Sequence, residues 1–166
     1  GIKTNVIASQ NVIDACMHEK IPVATCVGTD KAVSPLNTYG ATKLLMEKLF
    51  VAANPYWNSE ETKTKFIALR YGNVLGSSGS VVPKFIKQIR EKQKLTITDP
   101  NMTRFSLTMN EALDFIIEST FLGKSSEVFV PKLKAYSIMD LKDALIELVG
   151  EVEEEIVSIR PGEKLH

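Results

Sequence analysis

Helical and strand patterns alternate along this chain, and that alternation constrains its fold more than any other feature of the sequence. The apolar residues Ile2, Val6, Ile13 and Met17 recur at helical spacing, and the apolar, β-branched run 22–27 follows them. Strands that alternate with helices are typical of α/β proteins with a mainly parallel sheet. A helical pattern separates each strand from the next, and the further strands are predicted at 66–71, 95–98, 127–130 and 155–159.

Proline residues and capping patterns predict where the helices begin and end. One helix is predicted to begin at Tyr39 and to end at Pro55, because proline lacks the N–H that a further helical turn needs. Pro83 suits the first turn of a third helix. Thr108 and Ser137 each precede an acidic residue by three positions, which is the spacing of a capping box, so two more helices should begin there. On the first of these, one face should carry Leu113, Ile116, Ile117 and Thr120.

The composition limits the kind of function. The 166 residues suffice for one domain-sized core, and 20 basic residues balance 20 acidic ones, so no basic excess points to nucleic acid. Cys16 and Cys26 have no CxxC or Cys/His neighbours, which favours reduced, buried thiols over a disulfide or a metal site. The apolar runs are too short to span a membrane, and we expect a cytoplasmic location.

Reactive side chains cluster where the first predicted strand ends. Thr29, Asp30 and Lys31 supply a hydroxyl, a carboxyl and an amine at the end of a parallel sheet, where α/β proteins bind ligands. Tyr39 and Lys43 follow one helical turn apart, and an ammonium beside a phenol is expected to lower the pKa of that phenol. Such a phenol can exchange a proton with an alcohol near neutral pH. Taken alone, the Tyr-x-x-x-Lys spacing more often reflects a partly exposed tyrosine and a solvent-facing lysine.

Together these residues resemble the extended short-chain dehydrogenase/reductase family, which has a Ser or Thr after this strand and a Tyr-x-x-x-Lys on the next helix. Within it, the chain is similar to the UDP-N-acetylglucosamine 4,6-dehydratase (inverting) branch. The triplet 29–31 is the most specific part, because deoxythymidine-sugar dehydratases have Thr-Asp-Glu there and epimerases have neither the acid nor the base. Gly28 replaces the Ser of many relatives, a departure expected to have little effect. The matching stretches cover most of the chain and are 29–43, 70–74, 79–83, 102–105 and 159–164.

The resemblance implies an NADP- or NAD-dependent enzyme, a lyase that turns UDP-N-acetylglucosamine into a 4-keto-6-deoxy sugar nucleotide, with inversion at C5, for surface polysaccharide or glycan biosynthesis. In that chemistry Tyr39, supported by Lys43, takes the proton of the 4-hydroxyl while a hydride leaves C4 for the nicotinamide. Lys31 removes the C5 proton, for which its amine must be neutral, a state that burial would favour. Asp30 protonates the departing 6-hydroxyl, and Thr29 hydrogen-bonds the sugar at O4.

The resemblance also implies which residues bind the cofactor and the sugar nucleotide. Guanidinium groups suit phosphate oxygens, so Arg104 and Arg160 would hold the diphosphate together with Asn73, and Glu163 would bond the ribose hydroxyls. The residues implied for the cofactor are Tyr39, Lys43, Tyr71 and Asn73. Those implied for the UDP-sugar substrate are Thr29, Asn73, Val82, Arg104, Arg160 and Glu163.

The implied fold is α/β, the C-terminal half of a Rossmann-like doubly wound parallel sheet with an interleaved smaller substrate-binding domain. Residues 1–76 would belong to the NADP-binding Rossmann domain and 77–166 mostly to the sugar-nucleotide-binding domain, with 105–131 returning to the Rossmann sheet. The family's Gly-x-Gly-x-x-Gly phosphate loop is not in this sequence, and the glycine-rich stretch 76–80 does not replace it. We therefore expect half of a longer, homo-oligomeric protein, inactive by itself; some relatives carry a membrane-anchored N-terminal region.

Two other functions stay open at the level of sequence. A nucleotide-sugar epimerase that uses NAD or NADP would need Thr29, Tyr39 and Lys43, but it would give Asp30 and Lys31 no role. A sugar-nucleotide-binding module that has lost catalysis would need none of these side chains in reactive form. The intact set of hydroxyl, phenol and ammonium argues against that second alternative.

Overall fold

The structure, a computed structural model, describes residues 1–57, 64–159 and 161–166, and its helices and strands alternate as predicted. A π-helical segment, Ile2–Ile7, precedes the first α-helix, and a 3₁₀ turn, Asp30–Ala32, follows the first strand. The helices are α1 (Ala8–His18), α2 (Thr38–Trp57), α3 (Val81–Arg90), α4 (Met109–Leu122) and α5 (Ile138–Val149). The strands are β1 (Val23–Val27), β2 (Lys65–Leu69), β3 (Asn73–Val74), β4 (Leu95–Ile97), β5 (Thr103–Leu107), β6 (Val128–Phe129), β7 (Ala135–Ser137) and β8 (Glu154–Ile156).

The chain divides into two compact units. The first unit comprises Gly1–Tyr71 and Asn110–Lys132, and the second comprises Gly72–Met109 and Leu133–His166. The first unit contains a sheet of order β1-β2-β6, whose strands are all parallel. The second contains a sheet of order β3-β5-β7, in which β5 and β7 are antiparallel, and the parallel pair β4–β8.

Helices cover both faces of the parallel sheet in the first unit. Cys26 of β1 and Phe66 of β2 pack against α1 and against Phe50 of α2 in one buried cluster. Successive side chains of a strand point to opposite faces, so Thr25 faces the other side. There the hydroxyl oxygens of Thr25 and of Thr120 on α4 lie 2.8 Å apart in a hydrogen bond. The first unit is therefore a doubly wound α/β layer structure, as predicted.

The second unit has its own core beneath α3 and α5. Helix α5 begins with the predicted capping box: the Asp140 N–H donates to Ser137 Oγ at 2.9 Å, and the Ser137 N–H donates to Asp140 Oδ2 at 3.4 Å. Two reciprocal bonds of this kind satisfy backbone donors that the first helical turn leaves over. The core residues of this unit are Phe85, Ile89, Leu95, Ile97, Met102, Ile138 and Leu145.

Helix α2 continues beyond the predicted end at Pro55 and ends at Trp57. A proline gives no N–H to the carbonyl four residues earlier, which here is the carbonyl of Val51. The Ser126 hydroxyl donates to that carbonyl instead, with 3.1 Å between the two oxygens. A side chain distant in sequence thus replaces the missing helical bond, and no local pattern could have indicated it.

Helix α4 forms as predicted; it leaves Leu113 and Ile117 half exposed and buries Ala112 and Ser119. The helix is apolar around most of its circumference, so residue spacing alone does not select one face for packing. The short strands β3, β5 and β7, of two, five and three residues, are absent from the sequence prediction.

Strands β1 and β2 stay close just beyond β1. The Gly28 N–H donates to the Leu69 carbonyl at 2.9 Å, and a Cβ at Gly28 would lie only 2.4 Å from the same oxygen. The expectation that Gly28 in place of Ser has little effect on the site stays a prediction. A serine at this position requires the two strands to move apart, because real Cβ atoms do not approach a carbonyl oxygen so closely.

Candidate active site

The turn after β1 joins Thr29, Asp30 and Lys31 in one hydrogen-bonded group. Thr29 has an extended backbone (φ −153°, ψ 156°), and its Oγ1 accepts a bond from the Lys31 N–H at 3.4 Å. The same hydroxyl donates to Asp30 Oδ1 at 2.8 Å, and Lys31 Nζ lies 3.3 Å from that oxygen. The Asp30 N–H donates to the carbonyl of Tyr71, which follows β2, at 3.0 Å. The turn is thereby fixed at the carboxyl end of the parallel sheet.

Tyr39 and Lys43 lie on the first turns of α2, directly beside the turn after β1. A Cβ at Gly40 would lie 2.4 Å from the Lys31 carbonyl oxygen, so glycine is needed for the two backbones to come this close. The Tyr39 side chain is half exposed. Lys43 is partly buried, and its Nζ lies 3.9 Å from Met46 Sδ. A thioether is a weak acceptor, so the ammonium keeps hydrogen-bonding capacity for a ligand.

Lys31 is not buried in the way that its implied role as a base favours. The side chains of Lys31 and Asp30 are 48% and 38% exposed, and the two form an ion pair. The implied role of Lys31 as a base therefore stays a prediction.

A buried asparagine, missed by the sequence analysis, supports the first turn of α2. Asn5 lies in the π-helical segment, and its Nδ2 donates to Thr42 Oγ1 at 3.0 Å. The Thr42 hydroxyl in turn donates to the Tyr39 carbonyl at 2.9 Å. The Asn5 carbonyl accepts a bond from the Ser9 hydroxyl at 2.8 Å. Such wide helical turns often occur at functional sites, and the available signal is a polar residue inside an apolar helical stripe.

A buried ion pair, also missed by the sequence analysis, lies further along the same face of α2. Glu47 is 1% exposed, and Arg70 is the residue that follows β2. Arg70 Nε donates to Glu47 Oε2 at 2.5 Å, and Arg70 Nη2 donates to Oε1 at 2.7 Å. These hydrogen bonds raise the pKa of the Arg70 guanidinium above its ordinary value. Glu47 stands four residues after Lys43 and eight after Tyr39, so the three side chains share one helix face.

The pKa of the Cys26 thiol depends on two charged residues of that helix face, Lys43 and Glu47. Burial raises its pKa to about 12, while the charge of Lys43 lowers it and the charge of Glu47 raises it. The thiol is buried in the core and stays protonated at physiological pH. Cys16 is free as well and is only partly buried.

The ring of Tyr71 packs against α4. Its centroid lies 6.4 Å from that of Phe115, with the two rings at 77°, an edge-to-face contact. Burial raises the pKa of the Tyr71 phenol. The structure thus gives Tyr71 a packing role, and its contact with a cofactor stays a prediction.

The residues implied for the sugar nucleotide lie mostly in the second unit, on separate elements. Asn73 begins β3, and Val82 lines an open pocket along the first turns of α3. Arg104 lies in β5, and its Nη2 is 3.5 Å from Glu163 Oε1. Arg160 lies outside the described residues. The structure therefore brings Arg104 and Glu163 together, whereas Val82 lies on α3.

Arg104 holds the chain segment 161–166 as well as Glu163. Its Nη1 donates to the Thr103 carbonyl at 2.7 Å and to the Leu165 carbonyl at 3.3 Å. Its side chain is 18% exposed. Part of its hydrogen-bonding capacity is therefore used within the protein, and diphosphate binding by Arg104 stays a prediction.

Metal-binding groups and membrane-spanning helices are both absent from the described ranges, 1–57, 64–159 and 161–166. No group of three or more His, Cys, Asp or Glu side chains there is arranged to hold a metal ion. No helix in these ranges has the length and apolar character needed to cross a bilayer.

Comparison with known proteins assigns the chain to a family. The whole chain, residues 1–166, matches the family described as "Polysaccharide biosynthesis protein". The chain belongs to this family. The resemblance inferred from the motifs is thereby confirmed.

Relatives of the chain carry different names, and two of them name different enzymes. A protein of Campylobacter jejuni named UDP-N-acetylglucosamine 4,6-dehydratase (inverting) is 45% identical, over 99% of this chain and 48% of its own length. A protein of Rickettsia felis named UDP-glucose 4-epimerase is 40% identical, over 99% of this chain and 48% of its own length. The chain thus spans about half the length of these relatives.

A solved structure supports the fold of this family member. The UDP-glucuronic acid 4-epimerase of Bacillus cereus, in complex with UDP-glucuronic acid and NAD, has a TM-score of 0.88 with 22% identity, over 99% of this chain and 57% of that chain. At this identity the likeness establishes the fold alone. The Rossmann-like α/β class predicted from the sequence is confirmed.

Proposed function

We propose that this chain is the catalytic half of a nucleotide-sugar 4,6-dehydratase that acts on UDP-N-acetylglucosamine with NADP or NAD. The observation that carries the proposal is the hydrogen-bonded turn of Thr29, Asp30 and Lys31 against the helical turn of Tyr39. This places a hydroxyl, an acid, an amine and a phenol around one end of a parallel sheet. Dehydration needs all four, whereas exchange at C4 alone needs neither Asp30 nor Lys31.

The first step is removal of the proton from the sugar 4-hydroxyl. Tyr39 is half exposed at the end of the sheet, so its phenol can meet a bound sugar. The ammonium of Lys43 lies one helical turn away and stabilises the phenolate that accepts the proton. Thr29 has a hydroxyl in the same turn and would hydrogen-bond O4.

The second step uses the proton that Asp30 and Lys31 share. In the ion pair this proton is on Lys31 Nζ, 3.3 Å from Asp30 Oδ1. Its transfer to Asp30 makes Lys31 a neutral base and Asp30 an acid, without net gain or loss of a proton. Bound substrate that excludes water favours this transfer, because a dry site disfavours separated charges. Lys31 then takes the C5 proton, Asp30 protonates the 6-hydroxyl, and the C6–O bond breaks to release water and leave a C5–C6 double bond.

A nicotinamide cofactor fits the groups at this end of the sheet. Lys43 is partly buried, and over the described residues its ammonium contacts only a thioether sulfur, so it can bond ribose hydroxyls; Tyr39 lies beside it. When bound, the nicotinamide would supply hydride acceptance from C4 and hydride return to C6, which a proton returned to C5 from the opposite face would complete. The return of the hydride makes the overall reaction a dehydration and not an oxidation.

Binding of the sugar nucleotide is assigned to the remaining predicted residues. Asn73, Arg104 and Arg160 would hold the diphosphate, and Glu163 would bond the ribose. The close approach of Arg104 to Glu163 supports a shared site for the two, since one would face a phosphate and the other the adjoining ribose. Val82 would supply apolar contact.

The test is a product assay with the full-length protein that contains this chain. Incubation with UDP-N-acetylglucosamine and NADP or NAD should give a product lighter than the substrate by one water, measured by mass spectrometry. Tyr39→Phe is the matched control, because it keeps the ring and removes the proton acceptor, and its rate should fall about 10²–10⁴-fold. A product of unchanged mass would reject dehydration, and near-normal turnover in Tyr39→Phe would remove the phenol from the mechanism.

A nucleotide-sugar 4-epimerase is the second candidate, and the relative named UDP-glucose 4-epimerase supports it. Such an enzyme would use Thr29, Tyr39 and Lys43, and the Asp30–Lys31 pair would have no catalytic role. The same assay separates the two functions, because an epimer keeps the mass of the substrate. An epimerase should also tolerate Lys31→Ala without loss of turnover.

A further inference from the structure

We infer that the buried Glu47–Arg70 ion pair is a positioning pair for the catalytic face of α2: it fixes the helix against the end of β2 and keeps the charge beneath Lys43 balanced. The inference rests on the proposed function, in which Tyr39 and Lys43 act on the sugar. Nothing in that mechanism uses Glu47 or Arg70 directly.

The position of the pair on α2 is the first support. Tyr39, Lys43 and Glu47 lie at successive steps of four residues, so one face of the helix runs from a half-exposed phenol to a carboxylate that is 1% exposed. A rise of about 1.5 Å per residue puts Glu47 about 12 Å along the helix from Tyr39. The pair is therefore too distant to touch the substrate but close enough to act electrostatically.

The bonding of the pair is the second support. Two parallel hydrogen bonds, 2.5 and 2.7 Å long, join the guanidinium of Arg70 to both oxygens of Glu47. A fork of this kind fixes orientation as well as distance. The backbone N–H of Arg70 donates to the Phe129 carbonyl of β6 at 2.8 Å, so the guanidinium is anchored to the sheet. The pair thus sets where this part of α2 sits relative to the end of β2.

The charges near the site are the third support. The thiol of Cys26 lies close enough to feel both Lys43 and Glu47, with opposite effects on its pKa. Without Glu47, the Arg70 guanidinium would favour the phenolate of Tyr39, as Lys43 does. Without Arg70, the Glu47 carboxylate would disfavour that phenolate. The intact pair is neutral and has neither effect.

The decisive measurement is a direct titration of the Tyr39 phenol in the full-length protein with ¹³C-labelled tyrosine, followed by NMR. The signal of Tyr39 is assigned as the one lost in Tyr39→Phe. The elements packed against α2, and the residues after β2, carry other charged or titratable groups that are common to all variants. They are Lys3, Asp14, Cys16, His18, Cys26, Asp30, Lys31, Lys65 and Tyr71.

Glu47→Gln leaves the Arg70 cation unbalanced and should lower the titration midpoint of Tyr39 by roughly half to one pH unit, from the Coulomb energy at about 12 Å. Arg70→Lys keeps the charge and should leave the midpoint unchanged. Ser126→Ala is the matched control, because it removes a hydrogen bond to α2 at the Val51 carbonyl and changes no charge. It should lower stability without moving the midpoint.

An unchanged midpoint in Glu47→Gln, or an equal shift in Ser126→Ala, would overturn the inference and leave the pair a structural contact. If Glu47→Gln does not fold, Arg70→Gln gives the opposite imbalance and should raise the midpoint, and no rise would equally overturn the inference. The titration needs no turnover. Absence of dehydration by the wild-type protein would therefore refute the proposed function and not the positioning role.

Discussion

At the scale of single residues, the proposed dehydration depends on how one proton is shared between Asp30 and Lys31. Lys31 is half exposed, and its side chain forms an ion pair with Asp30. The sequence places the two side chains together, but it does not show their exposure, which depends on the path of the whole turn.

Lys31→Ala should abolish dehydration in the full-length protein while binding of NADP and of UDP-N-acetylglucosamine is retained. The substitution removes the base for the C5 proton and leaves Tyr39 and Lys43 in place. Mass spectrometry of the product and fluorescence titration with NADPH measure the two effects. Asp30→Asn is the companion variant and should also lose dehydration, whereas unchanged turnover in Lys31→Ala would exclude the amine from the mechanism.

The Cys26 thiol should make the stability of the chain depend on pH in the alkaline range. Its pKa is raised from 9.0 to about 12 by burial, so the folded state binds the proton more tightly than the unfolded state. The stabilisation is fully present below about pH 9 and is lost as the pH rises towards 12, by at most about 1.4 kcal/mol per pH unit. Urea unfolding at several pH values measures the slope, and a Cys26→Ala variant with the same slope would contradict its origin in the thiol.

At the scale of secondary-structure elements, local patterns predict five of the eight described strands and most helix ends, because burial and caps depend on residues close in sequence. The capping box of Ser137 and the buried strand β2 are of this kind. The end of α2 was mispredicted, because it depends on Ser126, which is distant in sequence. The Glu47–Arg70 ion pair was not predicted for the same reason, since its two residues are distant in sequence.

Gly28→Ser should destabilise the first unit. The added Cβ meets the Leu69 carbonyl at 2.4 Å, so β1 and β2 must separate beyond their paired residues. The expected loss in free energy of unfolding is about 1–3 kcal/mol, the range for overpacking. Gly28→Ala carries the same Cβ without the hydroxyl and should lose as much; urea denaturation that leaves both variants at wild-type stability would contradict the close contact.

At the scale of the whole molecule, the chain leaves a large apolar surface uncovered. Leu113, Ile117 and Phe121 form a stripe along α4, with Phe121 80% exposed, and Leu122 lies beside it. Exposed apolar patches of this kind mark surfaces that contact other protein. The relatives are about twice as long as this chain, so in a longer protein further residues are available to cover it.

The 166-residue chain expressed alone should therefore self-associate and should neither bind NADPH tightly nor turn over UDP-N-acetylglucosamine. The exposed stripe on α4 favours association, and the sequence contains no glycine-rich phosphate loop for the pyrophosphate. Light scattering and NADPH fluorescence measure the two properties. The double variant Leu113→Gln/Phe121→Gln should reduce association, and a monodisperse wild-type chain with micromolar NADPH affinity would contradict the prediction.

The open side of β1 has a consequence for the exchange of backbone amides with solvent. Over the described residues β1 pairs only with β2, and the Gly28 N–H bonds to Leu69. In a parallel ladder alternate N–H groups point to the same neighbour, so the amides of Ala24 and Cys26 point to β2 and those of Thr25 and Val27 point away. Deuterium should therefore enter Thr25 and Val27 quickly in the isolated chain. Slow exchange at the same two amides in a longer protein would indicate that a further strand pairs with this edge of β1.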